Sequence, residues 1–403
     1  MASPPNGSAG VRGSRAVDER LLDDAAALES ADLGHMLRAT ASAGPQVREA
    51  AALAAEANLS SIADEGRPRA VVVAGQGTAA RTGELLATVA GVRCPVPVIV
   101  HRSVGVPGWV GAADVVIAVS ASGRSPEALG AAEAATRRGA RLVAVGPPET
   151  MLEAVAERAR APYIAVPRRA PARASIWALT VPVLLAARTL GLVKVNEADL
   201  AETAARLDED AERCRPTADS FVNPAKAMAL DLAGSIPIVW GSSPLATVAA
   251  RRFADTLSSN ARYPAVGGSL SDAARGRVGL LDGVFGALAE SARDIFADPN
   301  GRDDSDVSRL RVVLMRDGGL ADDLRDDNEP AAVEERRADA LQSVAEARGI
   351  RLTVVTAEGG SALERLASMV AVPDFTSVYL AMAHGLDPTA VPAVSELKER
   401  TGV

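Results

Sequence analysis

Short runs that are apolar throughout, each ending in a glycine or serine turn, alternate along this chain with longer stretches of helical periodicity. From Val17 to Leu59 the pattern is helical and acidic, and the run Arg69–Ala74 then ends in Gly75-Gln-Gly77-Thr78. An unbroken apolar run closed by such a turn predicts a strand buried on both faces. The same unit recurs: a helix over Arg81–Gly91, strands at Val96–Val100 and Asp114–Val119, a helix over Pro126–Arg138, and strands at Arg141–Val145 and Tyr163–Val166. Strands separated by helices of this length require right-handed crossovers, which make a parallel sheet covered on both faces.

After a buried helix over Ile176–Leu192, the charged stretch Glu197–Arg215 reads as a solvated helical connector, and the alternation then starts again. Strands are predicted at Ile236–Trp240, Arg311–Leu314 and Arg351–Val355, helices at Pro244–Asn260 and Ala331–Arg348, and a glycine-rich passage at Gly267–Gly279. A local echo supports two similar halves, because Gly123-Arg-Ser125-Pro126-Glu-Ala128 parallels Gly241-Ser-Ser243-Pro244-Leu-Ala246. In each copy Ser stands where a helix N-cap belongs and Pro at the first helical position. The expected organisation is a flexible tail (1–16), an N-terminal domain (17–195), a helical connector (196–230) and a C-terminal domain (231–403). The fold class is α/β, two doubly wound parallel-sheet domains with flanking helices.

Composition narrows the partners. The apolar share of 48% with only 3% aromatics suits helices on parallel strands, and a net charge of −8 offers no basic field for nucleic acid. Two cysteines, Cys94 and Cys214, and three histidines in no ligand spacing leave neither a disulfide framework nor a metal site to build on. The acidic clusters Asp303-Asp304, Asp322-Asp323 and Asp326-Asp327 lack a second ligand type and read as exposed loops. The first ten residues are small and polar, without the apolar core of a secretory signal, and Arg188 interrupts Ala178–Leu192, which is too short to span a bilayer. The expectation is a cytoplasmic protein with no membrane partner.

The richest constellation is Val119-Ser120-Ala121-Ser122-Gly123-Arg124-Ser125-Pro126, directly after a predicted strand and opening a helix. Hydroxyls of Ser120, Ser122 and Ser125, the open backbone of Gly123 and free helix N–H groups converge there on one anion, and a phosphate fits. The alternative is an ordinary Ser-capped helix. The earlier turn, Gly75-Gln-Gly77-Thr78-Ala79-Ala80, satisfies a dinucleotide pattern, but the acid needed for the ribose is missing from Val96–Arg102. No cofactor is therefore expected, and Gly75, Gly77 and Thr78 read as letting the backbone approach a sugar.

Taken with Asn223-Pro224-Ala225-Lys226, Trp240-Gly241-Ser242-Ser243 and the ending Gly385-Leu386-Asp387-Pro388…Glu396-Leu397-Lys398, these motifs resemble the bifunctional phosphoglucose/phosphomannose isomerases. That resemblance covers the chain from about residue 35 onward and implies two sugar-isomerase (SIS) domains, a hexose 6-phosphate ligand and a homodimer. It implies that Ser120, Ser122 and Ser125 hold the phosphate, that Arg173 steadies charge at the reacting end, and that Lys398 matches the family's C-terminal lysine. The family's catalytic Glu is replaced by Ser259 in Ser258-Ser259-Asn260-Ala261-Arg262, and its ring-opening His aligns near Arg275. Proton transfer between C1 and C2 needs a base, and a serine hydroxyl is none near neutral pH. Asp255, one helical turn before Ser259, is a candidate replacement, and His384 is the one histidine inside a family motif. The expected function is phosphosugar binding with catalysis weak, altered or absent.

Overall fold

In a computed structural model of the protein, residues 17–289, 309–318 and 329–401 are described. The predicted tail and the acidic clusters lie outside them. Among the described residues the first sheet comprises β1 (Val71–Ala74), β2 (Val98–His101), β3 (Val115–Val119), β4 (Arg141–Gly146) and β5 (Tyr163–Ala165). The second comprises β6 (Ser235–Gly241), β7 (Val266–Ser269), β8 (Arg309–Arg316) and β9 (Leu352–Thr356). Their orders are β2-β1-β3-β4-β5 and β7-β6-β8-β9, with every neighbouring pair parallel.

The helices before and within the first sheet are α1 (Glu19–Leu22), α2 (Ala25–Ala31), α3 (Met36–Ala41), α4 (Ala43–Glu56), α5 (Thr78–Ala90), α6 (Pro126–Arg137), α7 (Met151–Ala159) and α8 (Ile176–Thr189). Those that follow are α9 (Glu197–Arg213), α10 (Pro224–Leu232), α11 (Pro244–Asn260), α12 (Leu270–Ala273), α13 (Glu329–Glu346), α14 (Ala362–Ala383) and α15 (Pro392–Thr401).

Alternation along each strand divides the core. Val72, Ala74, Val116 and Ala118 face the alanine-rich side of α6, while Val71, Val73, Ile117 and Val119 face inward. In the second sheet Ile238, Trp240, Val312 and Leu314 pack outward with Ala338 and Leu341 of α13, and Val239, Val313 and Met315 face inward. The two inward faces share one apolar cluster, filled by α4, α5, α8, α9, α10, α11 and α14. Helices thus form a central layer between the sheets, and burial on both faces explains why the strands are Val-rich throughout.

Three sequence expectations change. Helix α9 is no solvated connector: Leu200, Thr203, Ala204, Leu207 and Asp210 are buried against α4 and α14, and only its outer face carries the charges. The glycine-rich passage holds β7, an edge strand in which Gly267 lies close against α11. The echo between the halves joins turns that are not equivalent, since Ser125 follows β3 whereas Ser243 follows β6, the counterpart of β1 in strand order. What the two copies share is a Ser N-cap position followed by Pro at the first helical residue, and only Ser243 caps with its side chain. Helix α14 is long and apolar enough to cross a membrane by length and composition, but 83% of its apolar window is buried inside the protein, as a core helix would be.

Candidate functional site

In an open parallel sheet, ligands bind beyond the carboxyl ends of the strands where the order reverses. Here that point lies between β1 and β3, and it brings together the two turns singled out from sequence. Gly75 is buried, and a Cβ there would lie 2.7 Å from the Val119 carbonyl oxygen and 2.8 Å from the Ala79 side chain. Its smallness is already required where the β1 turn meets the base of the serine loop. Gly77 is the exposed N-cap of α5, with Thr78 as the first helical residue and no side-chain cap between them.

Within the serine loop, Ser120 is buried, and its backbone N–H donates to the Val145 carbonyl, which fixes the loop to β4. The Ser120 and Ser122 hydroxyls stand 3.4 Å apart, and the Ser125 N–H points toward Ser120 Oγ at 3.4 Å. Gly123 has φ +67° and a Cβ there would lie 2.4 Å from Thr150, so both backbone and space demand glycine. Its carbonyl accepts from the Leu152 N–H of α7, while Thr150 is held by the Pro147 carbonyl and lies beside the Tyr163 hydroxyl. Burial pushes the Tyr163 phenol up to about 12, which keeps it a neutral donor to the Pro147 carbonyl at 2.6 Å.

Ser125 bears on the two readings of this loop. It occupies the N-cap of the 12-residue α6, yet its side chain caps nothing. Its Oγ is buried without a hydrogen-bond partner. A buried hydroxyl and the uncapped first turn of a helix are both costs unless an acceptor supplies what is missing. At the comparable Ser243, the hydroxyl does cap, taking the Ala246 N–H at 3.1 Å.

Arg173 sits in a short 3₁₀ turn (Ala172–Ala174) after β5. Its Nε donates to Asn260 Oδ1 at 2.5 Å, and one Nη donates to the Pro388 and Thr389 carbonyls at 2.6 and 2.7 Å. Arg262 donates to the carbonyls of Asp387 and Ala390, so two guanidinium groups hold four consecutive carbonyls. Burial, reinforced by Arg262, lowers the Arg173 pKa from its ordinary value. Behind it, Asn260 donates to Ser377 Oγ at 2.9 Å, Ser377 donates to the Asp374 carbonyl, and Arg252 joins the Asp374 carboxylate to the Arg173 carbonyl. Burial raises the Asp374 pKa against the pull of Arg252.

The other candidates fall elsewhere. Asp255 is exposed, and its carboxylate is taken by Arg81 of α5 at 2.5 Å, with Glu84 on the same guanidinium. His384 ends α14, stacked on Tyr263 at 5.5 Å, with Nε2 buried and unpartnered and its pKa lowered by burial. Lys398 is exposed on α15, a helix with no buried residue. Among the described residues no group of three or more His, Cys, Asp or Glu side chains is placed to hold a metal ion.

Residues 221–401 match the family described as the bacterial phospho-glucose isomerase C-terminal SIS domain. The C-terminal part of the chain therefore matches an SIS domain of the phosphosugar-isomerase type. A bifunctional phosphoglucose/phosphomannose isomerase from Caldicellulosiruptor bescii is 27% identical over 330 residues, 82% of this chain and 88% of that one. Among solved structures, a hypothetical protein from Thermus thermophilus aligns with TM-score 0.66 at 15% identity, covering 95% of this chain and 94% of its own. The C-terminal domain of glucosamine-fructose-6-phosphate aminotransferase from Francisella tularensis gives TM-score 0.61 at 12% identity, over 88% and 97%. At those identities the structural matches speak for the fold.

Within this SIS framework, Ser259 is half-buried on α11 beside Asn260. Arg275 is exposed, lining an open concavity of about 610 Å³ with Arg277, Leu280 and Phe285. Sequence reasoning missed Asn260, Arg252 and Asp374, which tie Arg173 into the core. Asn260 stood in the quoted motif, whereas the pairing of Arg252 with Asp374, 122 residues away, left no local signal.

Proposed function

We propose that this protein binds a hexose 6-phosphate through the Ser120–Ser125 loop, as a cytoplasmic homodimer, and that it isomerises the sugar weakly or not at all. The buried, unpartnered Ser125 hydroxyl at the open N-terminus of α6 carries the first half, because it leaves donors that an added anion would satisfy. The second half is supported by Ser259 at the position where the resembled family keeps its general base. Asp255 pairs with Arg81, and Arg173 holds Asn260 and two carbonyls, so both side chains are already engaged in the fold. Helix α15 offers exposed Val394 and Leu397 to a second copy.

Calorimetry with glucose 6-phosphate and fructose 6-phosphate tests the binding. Both should bind while glucose and fructose do not, and Ser122→Ala with Ser125→Ala should weaken binding at least about tenfold, the worth of one charged hydrogen bond. Unchanged affinity in that variant would reject the pocket. On the same samples, turnover of glucose, mannose and fructose 6-phosphates should stay far below an ordinary kcat of about 10 s⁻¹. Ser259→Glu should raise any residual rate without much change in affinity.

A further inference from the structure

The second sheet has a reversal point of its own. The order β7-β6-β8-β9 repeats β2-β1-β3-β4, which sets β6 in the place of β1 and β8 in the place of β3. The residue after β3 is Ser120, 2% exposed; the residue after β8 is Asp317, 5% exposed. Asp317 Oδ2 accepts from Ser243 Oγ at 2.9 Å, Oδ1 accepts from Arg365 Nε at 3.0 Å, and its N–H donates to Ser242 Oγ at 3.1 Å. Ser243 stands at the N-terminus of the 17-residue α11, and Ser242, Ser243 and Arg365 are all buried.

We propose that the anion-binding capacity of this crevice is taken up by the chain's own Asp317 carboxylate, which keeps free phosphate out of it. The comparison with Ser120 rests on the assignment of the Ser120–Ser125 loop to phosphate. The two ends differ as a filled and an open site should. The Asp317 carboxylate takes one hydroxyl (Ser243) and one guanidinium (Arg365) beside the N-terminus of α11, and its own N–H is held by Ser242 Oγ, whereas in the first domain Ser125 Oγ has no partner. A buried guanidinium and the positive end of a helix need a negative charge nearby. A carboxylate attached to the chain meets that need without a ligand. Burial and the Asp317 charge also raise the pKa of the neighbouring Glu334, so a second anion is unwelcome there.

The test removes the internal anion and offers inorganic phosphate in its place. It is made in the Ser122→Ala, Ser125→Ala background, where the first loop is silenced. Adding Asp317→Ser should lower the melting temperature by about 5–10 °C in chloride buffer. About half should return in ~50 mM phosphate at matched ionic strength. The background protein with Asp317 intact should show no such gain. An equal phosphate response in both proteins, or none in the Asp317→Ser variant, overturns the proposal. Asp317→Asn, which keeps the volume, guards against a simple packing defect: it should melt lower and recover with phosphate, and parental stability in chloride would mean the charge is not needed. Should neither variant fold in chloride, equal refolding yields in phosphate and chloride would reject the proposal, and a higher yield in phosphate would support it. Glucose 6-phosphate binding to the wild-type chain is read separately, so failure of the first-site assignment remains distinguishable.

Discussion

Arg173→Lys separates two jobs that the position can have. In the resembled isomerases the matching arginine steadies charge on the sugar; here three donors of Arg173 are spent on Asn260 and on the Pro388 and Thr389 carbonyls. A lysine keeps the charge but cannot fork to three acceptors in different directions. If it recovers one of the three, two charge-assisted hydrogen bonds are lost. At roughly 1.5–3 kcal/mol each, reduced because half-buried carbonyls regain water, the cost is about 2–4 kcal/mol. That loss falls first on the segment from Gly385 to Val391, whose other anchors include Arg262, the Gly385 and Leu386 N–H bonds back to α14, and the seat of Thr389 against Gly34. Amide hydrogen exchange should therefore accelerate at Leu386 and Thr389, by tenfold or more, while amides of β1 and β3 change only as far as global stability falls. Phosphosugar affinity should hold, because the serine loop is untouched. If exchange at Leu386 and Thr389 keeps its wild-type rate while turnover of a hexose 6-phosphate disappears, Arg173 acts on substrate and the clamp is secondary.

Lys226 is fully buried, its ammonium donating to the Pro216 and Ala218 carbonyls at 2.7 Å each over the Tyr379 ring. Lys226→Met should cost about 2–4 kcal/mol in urea unfolding, since two carbonyls lose a charged donor. Gly123→Ala should lower both stability and phosphosugar affinity, the first by about 2–3 kcal/mol, through the left-handed backbone and the clash with Thr150. Burial raises the Asp210 carboxyl from 3.8 to about 6, so its stabilising contribution is complete below about pH 3.8 and is lost as pH rises through about 6. Asp210→Asn should accordingly melt higher than wild type at pH 8, by about 1–2 kcal/mol once Arg213 is left without its partner, and no higher at pH 4.

How far the sequence could be read follows from the range of each interaction. Strands such as Val115–Val119 and helices such as Pro244–Asn260 are local matters of apolar runs, caps and proline positions, and their boundaries agree within a residue or two. Whether the charged stretch Glu197–Arg213 is solvated or packed depends on what lies opposite. Its periodic Leu200, Ala204 and Leu207 were visible, but α4 and α14 as their partners were not. The serine loop was legible because its chemistry sits within six residues. Even so, the same letters allowed a capped helix, and only the orientation of Ser125 Oγ separates that from an open anion site.

The candidates for chemistry share a different fate, and it bears on how binding and catalysis come apart. Phosphate recognition as proposed would use one continuous loop of one sheet, so it would survive changes elsewhere in the chain. Isomerisation needs a base, a charge-steadying group and a ring-opening acid drawn from distant elements and held at once in register. In this chain Ser259 stands where the resembled family keeps its base, Arg173 is turned onto the segment before α15, Asp255 pairs with Arg81 across the two halves, and His384 stacks on Tyr263. Arg173 and Asp255 each hold structure in the present fold, so their retention is accounted for without turnover. A return to catalysis therefore asks for more than one substitution. Ser259→Glu alone would place a carboxylate one turn from Asp255, a like-charged pair on one helix face, while Arg173 remained engaged. The rate gained should thus fall short of the roughly 10²–10⁴-fold typical of a well-placed general base. A gain of that full size from Ser259→Glu alone would mean that the rest of the catalytic apparatus is intact and that Arg173 is freer than its hydrogen bonds indicate.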